Sequence, residues 1–264
     1  MTTSEYAGTR ELYVCESGPQ TAPTIVFLHG GGIGGWMWEP VVAHLGDFHC
    51  LMPDLPEQGH SAGVMPFTLA GAATAIEEII RTRTREGRAH VVGLSLGAQA
   101  TVALLERAAE VVDHAVVSSC LVRPVPGAAF YTPGLIRASY QWFVQPFKRN
   151  EWFIRLNMRS AAGVPEQYFS QFREDYDRTT AESFTYVMLE NLKFRQPEGL
   201  AAADCPVLVV VGEKENAAMK QSAHDLLTAL PNARAVRVNA GKNSAENHNW
   251  SFQKPELFAR MVRA

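Results

Sequence analysis

The 264-residue sequence lacks long uninterrupted runs of apolar residues. No stretch reaches the roughly 18 such residues that a membrane-spanning helix needs. The polar segment 1–10 also has no apolar centre of the kind found in secretory signals. We therefore expect a protein without a membrane partner that stays in the cytoplasm.

Cysteine is scarce and scattered. The four cysteines form no C-x-x-C pair, which argues against a zinc site and against a small disulfide framework; they are Cys15, Cys50, Cys120 and Cys205. We expect free thiols, no metal ion and no cofactor.

Neither sign of charge dominates the sequence. The 24 Lys and Arg and 27 Asp and Glu residues are interspersed and give a formal net charge of -3. The one basic run, residues 81–85, lies at a predicted helix end. A nucleic-acid partner is therefore not expected, and we expect a small-molecule substrate. The sequence does not indicate an oligomeric state.

What the sequence does contain is an alternation of strand and helix patterns. Short β-branched runs predict buried strands at residues 24–28, 90–92, 115–117 and 207–211. Helical patterns are found at residues 69–81, 98–108, 217–230 and 255–262. Because parallel strands need long crossover connections, this order predicts an α/β fold with a mostly parallel central sheet flanked by helices.

The alternation breaks at residues 121–200, which predicts one domain with an insertion. Residues 1–120 and 201–264 would form the core domain and residues 121–200 a helical cap, or lid, with amphipathic stretches at 135–147 and 167–176. The insertion holds 15 of the 25 aromatic residues. Such rings pack small helices onto a core, and together they also indicate an apolar cleft at the sheet edge where open α/β folds bind ligands.

The segment Gly93-Leu94-Ser95-Leu96-Gly97 has the form G-x-S-x-G between a strand pattern and an alanine-rich helix pattern. Glycine is required two positions either side of the serine, because the turn brings the strand and helix backbones too close for a Cβ. The turn would leave the Ser95 hydroxyl exposed at the top of the sheet. We therefore predict that Ser95 is a nucleophile.

Two further segments extend this pattern. His29-Gly30-Gly31-Gly32 follows an early strand, and residues 54–61 are similar to D-x-P-G-x-G-x-S. With the serine turn, they make the chain resemble the α/β-hydrolase superfamily, in the serine carboxylesterase-like branch with a helical cap inserted after the sixth strand. Glu57 departs from that pattern, since the family usually has glycine there. We expect Glu57 to avoid the backbone angle that glycine permits and the loop to be shaped differently.

A serine hydroxyl needs a base to become a good nucleophile, and the base needs a group that fixes its tautomer. The resemblance implies the chain order serine, acid, histidine. Of the two candidates, His224 lies in a predicted helix, whereas His248 lies in a loop, residues 241–250, before the closing helix. His248 is the favoured base, although its loop is longer than the compact G-x-x-H form.

The acid and the oxyanion hole follow from the same resemblance. Glu215 stands where the family's late turn carries its acid, Glu213 is the competitor, and residues 118–122 offer no carboxylate as an alternative. The developing oxyanion needs donors already in place. The resemblance assigns these to the amides of Leu96 and Gly31, with Gly32 as a third candidate.

A dinucleotide site is a competing interpretation, because residues 30–35 also satisfy G-x-G-x-x-G and Asp54 follows at the required distance. It leaves Ser95, Glu215 and His248 unexplained, and Trp36 would crowd a pyrophosphate. We therefore favour hydrolysis.

A serine nucleophile indicates acyl chemistry. The leading hypothesis is a metal-independent carboxylesterase for short- to medium-chain or small apolar esters, lactones included, because the aromatic cap favours an apolar substrate. One alternative is a carbon–carbon bond hydrolase for ring-fission diketones, with Arg155, Arg159 and Arg173 as candidates to bind a carboxylate. Another is a hydrolase-like protein that binds a small ligand without turnover.

Overall fold

The computed structural model describes residues 11–264, and within them seven strands form one sheet. In chain order the strands are β1 Val14–Ser17, β2 Thr24–Leu28, β3 His49–Pro53, β4 Ala89–Leu94, β5 Val112–Ser118, β6 Val207–Gly212 and β7 Ala233–Val238. Their order across the sheet is β1-β3-β2-β4-β5-β6-β7. Only β1 runs antiparallel to its neighbour, which confirms the predicted mostly parallel α/β sheet.

Helices flank this sheet. The α-helices of the described residues are α1 Glu39–Val42, α2 Leu69–Arg83, α3 Leu96–Ala108, α4 Pro133–Phe143, α5 Glu151–Ser160, α6 Phe169–Arg178, α7 Ala181–Lys193, α8 Ala217–Ala229, α9 Ser244–His248, α10 Trp250–Gln253 and α11 Pro255–Arg263. Short 3₁₀ turns lie between them, including Gly35–Trp38, Gly59–Ser61 and Glu166–Tyr168. The sequence patterns missed two strands, β1 and β3, and five helices, α1, α5, α7, α9 and α10.

Polar residues cap several of these helices, which explains where they begin. The side chains of Thr68, Thr132, Asn150 and Asn216 each accept a hydrogen bond from an amide in the first turn of α2, α4, α5 and α8. At α7, Thr180 forms a reciprocal capping box. Such a cap satisfies amides that have no partner inside the helix.

The core lies on both faces of the sheet. All five residues of β2 are buried, and its four apolar residues alternate between two apolar clusters. Val26 and Leu28 face the side covered by α2 and α3, whereas Ile25 and Phe27 face the side that holds Trp38 and α11. The period-two alternation of a strand produces this division.

The helical insert consists of α4 to α7 and lies between β5 and β6. Among the described residues it therefore follows the fifth strand and not the sixth, because the sheet has one strand fewer than the resemblance implied. We call α4 to α7 the cap. The exact division into core and cap residues stays a prediction.

Several aromatic rings of the predicted insertion, residues 121–200, face solvent. Phe130, Trp142, Phe143 and Trp152 are each at least 70% exposed. Other rings, such as Tyr140, are buried. Fewer aromatic rings are therefore available to line a cleft than the composition of the insertion indicated. Several of the rings lie at outward-facing positions of α4 and α5.

No helix within residues 11–264 is both long and apolar enough to cross a membrane. The four cysteines are free thiols, as expected. Cys50 and Cys120 are buried, and Cys15 and Cys205 are half-buried.

Candidate active site

Ser95 lies at a strained turn between β4 and α3. Its backbone has φ 57° and ψ -114°, a conformation that L-residues rarely adopt and that concentrates at functional sites. A Cβ on Gly93 would lie 2.4 Å from the carbonyl oxygen of Gly97, and one on Gly97 would lie 2.1 Å from that of Leu28. Close backbone packing therefore requires both glycines of the motif, as the sequence predicted.

Glu215 and His248 contact each other at the carboxyl end of the sheet. Nδ1 of His248 donates to Oε1 of Glu215 at 2.6 Å, because a carboxylate oxygen can only accept. The other oxygen, Oε2, accepts from the Gly212 amide at 2.7 Å. Glu215 is only 4% exposed. With the proton on Nδ1, Nε2 of His248 is left to accept a proton from a nucleophile.

Two serines at the end of β5 connect Ser95 to this pair. The Ser95 amide donates to the Ser118 carbonyl at 2.9 Å. The Ser119 hydroxyl lies 3.0 Å from Oε2 of Glu215 and 3.3 Å from the carbonyl oxygen of His248. Within residues 11–264 no hydrogen bond joins the Ser95 hydroxyl to the His248 ring; in unliganded enzymes such bonds often tighten only with substrate.

The segment that carries His248, predicted as a loop, contains a short helix. Residues 244–248 form α9, which takes up the extra length after Gly241 that the compact motif lacks. Asn247 is fully buried, and a Cβ on Gly212 would lie 2.6 Å from its carbonyl oxygen. Lys214 donates to the Gly241 carbonyl at 2.9 Å. These contacts fix α9 against the turn that carries Glu215.

The competing candidates lie elsewhere. Glu213 is exposed, and His224 is exposed on α8. Neither has a hydrogen bond through its side chain to Ser95, Glu215 or His248 among the residues that the structure describes.

The two amides assigned to the oxyanion hole lie at neighbouring places. Leu96 is the first residue of α3, so its amide has no partner inside that helix and lies at the positive end of the helix dipole. A Cβ on Gly31 would lie 3.5 Å from Leu96 and 3.7 Å from Val187 of the cap. The Gly32 amide instead donates to Oε1 of Gln58 at 2.8 Å, which removes it as a free third donor.

His29 holds the start of the glycine loop, by which we mean residues 29–36. Its Nε2 accepts from the Leu55 amide at 2.8 Å, so the neutral ring carries its proton on Nδ1, which lies 2.7 Å from the Gly30 carbonyl. That carbonyl belongs to the same peptide as the Gly31 N–H, the predicted oxyanion donor. Burial lowers the pKa of His29, which favours this neutral form.

The segment 54–61 supports the glycine loop from the core side. Oδ1 of Asp54 accepts from the Gly35 amide at 2.6 Å, and Oδ2 accepts from the His60 amide at 2.7 Å. The buried carboxylate is thus engaged with backbone amides, which argues against a ribose-binding role. The expectation for Glu57 was wrong: its φ is 63°, the angle that glycine would adopt. A hydrogen bond from its amide to the Ser61 carbonyl helps to hold that angle.

Sequence reasoning missed Ser119, Gln58 and Asp175. Ser119 had a usable signal, because it follows the strand beside the serine turn and parallel strands end at one edge. Gln58 occupies a variable position of its motif. Asp175 contacts Trp36 from 139 residues away, a pairing that no local pattern indicates.

A sequence profile of the alpha/beta hydrolase family matches residues 25–261. The chain belongs to this family, as the resemblance in its motifs predicted. It is similar to an AB hydrolase superfamily protein of Gibberella zeae, with 24% identity over 242 residues covering 91% of this chain and 78% of that protein. It is also similar to Carboxylesterase YbfK of Bacillus subtilis, with 28% identity over 271 residues, 97% of this chain and 85% of that protein. Among solved structures, a thermophilic esterase from Thermogutta terrifontis superposes with a TM-score of 0.72 at 19% identity, covering 96% of this chain and 91% of that one. At this identity the likeness shows the fold.

Proposed function

We propose that the protein is a serine carboxylesterase for short- to medium-chain or small apolar esters, lactones included. The observation that carries the proposal is the hydrogen bond from His248 to the buried Glu215, beside the strained turn of Ser95. A buried acid that orients an imidazole beside a serine at a strained strand-to-helix turn is the arrangement of a serine hydrolase. The similarity to a protein named as a carboxylesterase supports the same activity.

In the proposed reaction, Nε2 of His248 removes the proton of the Ser95 hydroxyl as its oxygen attacks the ester carbonyl carbon. The oxyanion accepts hydrogen bonds from the Gly31 and Leu96 amides. Glu215 stabilises the imidazolium. The carbon–oxygen bond to the alcohol then breaks, and His248 protonates the leaving oxygen.

Water completes the cycle. His248 takes a proton from a water molecule as that water attacks the acyl carbon. The tetrahedral intermediate collapses, the Ser95 oxygen leaves and regains its proton, and the carboxylic acid departs. No metal ion or cofactor is needed for any step.

The cap arginines favour ester substrates over ring-fission diketones. Arg155 already pairs with Glu151 and Glu166, and Arg159 pairs with Glu166. Arg173 pairs with Asp177. These ion pairs occupy the side chains that would have to bind a diketone's carboxylate.

The test is a panel of p-nitrophenyl esters of increasing acyl length, a lactone and a ring-fission diketone, with the wild type and Ser95→Ala. We expect turnover of esters by the wild type and loss of that turnover in Ser95→Ala, with an unchanged melting temperature. Ser160→Ala, at an exposed position of α5, is the matched control and should behave as wild type. Ester hydrolysis that survives in Ser95→Ala would overturn the proposal. A single burst without turnover would indicate a binding protein instead.

A further inference from the structure

A carboxylate of the cap is buried against the glycine loop. Asp175 lies on α6 but is only 4% exposed. Its Oδ2 accepts from the indole Nε1 of Trp36 at 2.6 Å. A Cβ on Gly34 would lie 3.2 Å from the same Oδ2, so the loop backbone also passes directly beside it.

The loop is thereby held from two sides. Asp54, from the core, accepts from the Gly35 amide, and a Cβ on Gly34 would lie 2.9 Å from its Oδ1. Asp175, from the cap, holds Trp36 in the same short stretch. The Gly31 amide assigned to the oxyanion hole lies three residues before Gly34.

Trp36 also connects the cap to the element behind His248. Its ring stacks on Tyr168 of the cap, with centroids 5.9 Å apart, and lies 5.9 Å from the ring of Phe252 on α10. A shift of Trp36 would therefore change its contacts with the glycine loop, with the cap and with α10, the helix that follows the proposed base.

Burying a carboxylate at the contact with Trp36 costs desolvation free energy. The nearest cation, Arg178, has its NH1 3.5 Å from Oδ1, at the limit of a hydrogen bond. Burial raises the pKa of Asp175 and the neighbouring Asp54 adds to this, whereas the hydrogen bond from Trp36 opposes it. A buried, weakly paired charge is not explained by stability alone, because an apolar side chain of similar size would pack there at lower cost.

We propose that Asp175 is a positioning residue that holds the glycine loop through Trp36, so that the cap sets the place of the Gly31 oxyanion donor. The idea rests on the proposed esterase function. An oxyanion donor acts only if it already points at the developing charge, and a displaced donor loses most of its effect.

The kinetic test compares four variants. Asp175→Ala removes the acceptor, Trp36→Phe removes the donor, and Asp175→Asn keeps an acceptor oxygen for Trp36. Asp177→Asn is the matched control, because Asp177 lies on the same helix with its side chain half-exposed and paired with Arg173.

We expect Asp175→Ala and Trp36→Phe each to lower kcat for an ester by about 10- to 100-fold, less than deletion of a donor, with KM within about threefold. Affinity for a trifluoromethyl ketone, which forms a tetrahedral adduct with a serine, should fall by the same factor as kcat. Asp175→Asn should recover most of the loss, and Asp177→Asn should match the wild type. Equal kcat in all four variants and the wild type would overturn the proposal.

A second measurement does not depend on activity. Hydrogen–deuterium exchange of a peptide covering residues 30–37 should be about tenfold faster in Asp175→Ala than in Asp177→Asn, because the loop has lost its hold on the cap. Equal exchange in the two variants would refute the proposal, even if neither cleaves an ester. Residual activity of Ser95→Ala would instead refute the esterase function, so the two failures are distinguishable.

Discussion

Replacement of Glu215 by glutamine is a sharp test of the proposed acid, because the surroundings of its carboxylate fix how the new amide would lie. Oε2 faces the Gly212 N–H at 2.7 Å, and that group can only donate. The glutamine oxygen must therefore take the Oε2 position. Its NH₂ group is then turned towards Nδ1 of His248.

In the reverse orientation, the NH₂ group of the glutamine would face the Gly212 N–H, so that two donors would meet. An unsatisfied buried amide costs about 1–3 kcal/mol, which disfavours that orientation by about 5- to 150-fold. In the favoured orientation His248 must accept at Nδ1 and carries its proton on Nε2. That tautomer cannot take the proton of Ser95, and the charge that would stabilise the imidazolium is absent as well.

The two effects together should lower kcat by about 1,000- to 10,000-fold, or about 4–5 kcal/mol of transition-state stabilisation, as is typical when a triad acid becomes an amide. KM should change little, since Glu215 is buried and its side chain contacts His248. Stopped-flow and steady-state hydrolysis of a p-nitrophenyl ester measure both constants. Glu213→Gln, at an exposed position two residues away, is the control and should keep wild-type kcat. The reasoning fails if Glu215→Gln keeps more than a tenth of wild-type kcat, or if Glu213→Gln loses as much.

Three further predictions concern stability. Gly97→Ala would place a Cβ 2.1 Å from the Leu28 carbonyl oxygen, so we expect the free energy of unfolding, measured in urea, to fall by about 3 kcal/mol or more. Gly46→Ala is the control and should be nearly neutral, because its Cβ would meet nothing within 4 Å; equal losses in the two variants would contradict the packing argument. Burial lowers the pKa of His29, so the unfolded chain binds a proton that the folded chain does not as pH falls through about 6.5, and folding stability falls with it. His29→Gln should therefore show a shallower loss of melting temperature between pH 7 and 5 than the wild type, and parallel curves would count against it. Burial raises the pKa of Asp175, so its contribution is most favourable below about pH 4 and declines as pH rises through the folded pKa; Asp175→Asn should gain melting temperature relative to the wild type on going from pH 4 to pH 8, and a constant difference would refute this.

Local backbone rules made much of the fold readable from the sequence. The β-branched run of β2 and the glycines around Ser95 carry their own constraints, because strand burial alternates with period two and a tight turn admits no Cβ. The weakest strand signals were missed for equally local reasons. β1 is short, partly exposed and at the edge of the sheet, and β3, His49–Pro53, contains no β-branched residue.

Pairings between distant residues depended on the tertiary structure. The family resemblance favoured Glu215 over Glu213 as the acid, but no local pattern showed which of the two contacts the base. The turn after β6 buries Glu215 and brings it to His248. Likewise, Trp36 meets Asp175 across 139 residues because the cap folds back onto the glycine loop. Periodicity and turn chemistry act over a few residues, so they specify elements. The packing of those elements determines which side chains meet at the sheet edge. Local sequence patterns do not predict that packing.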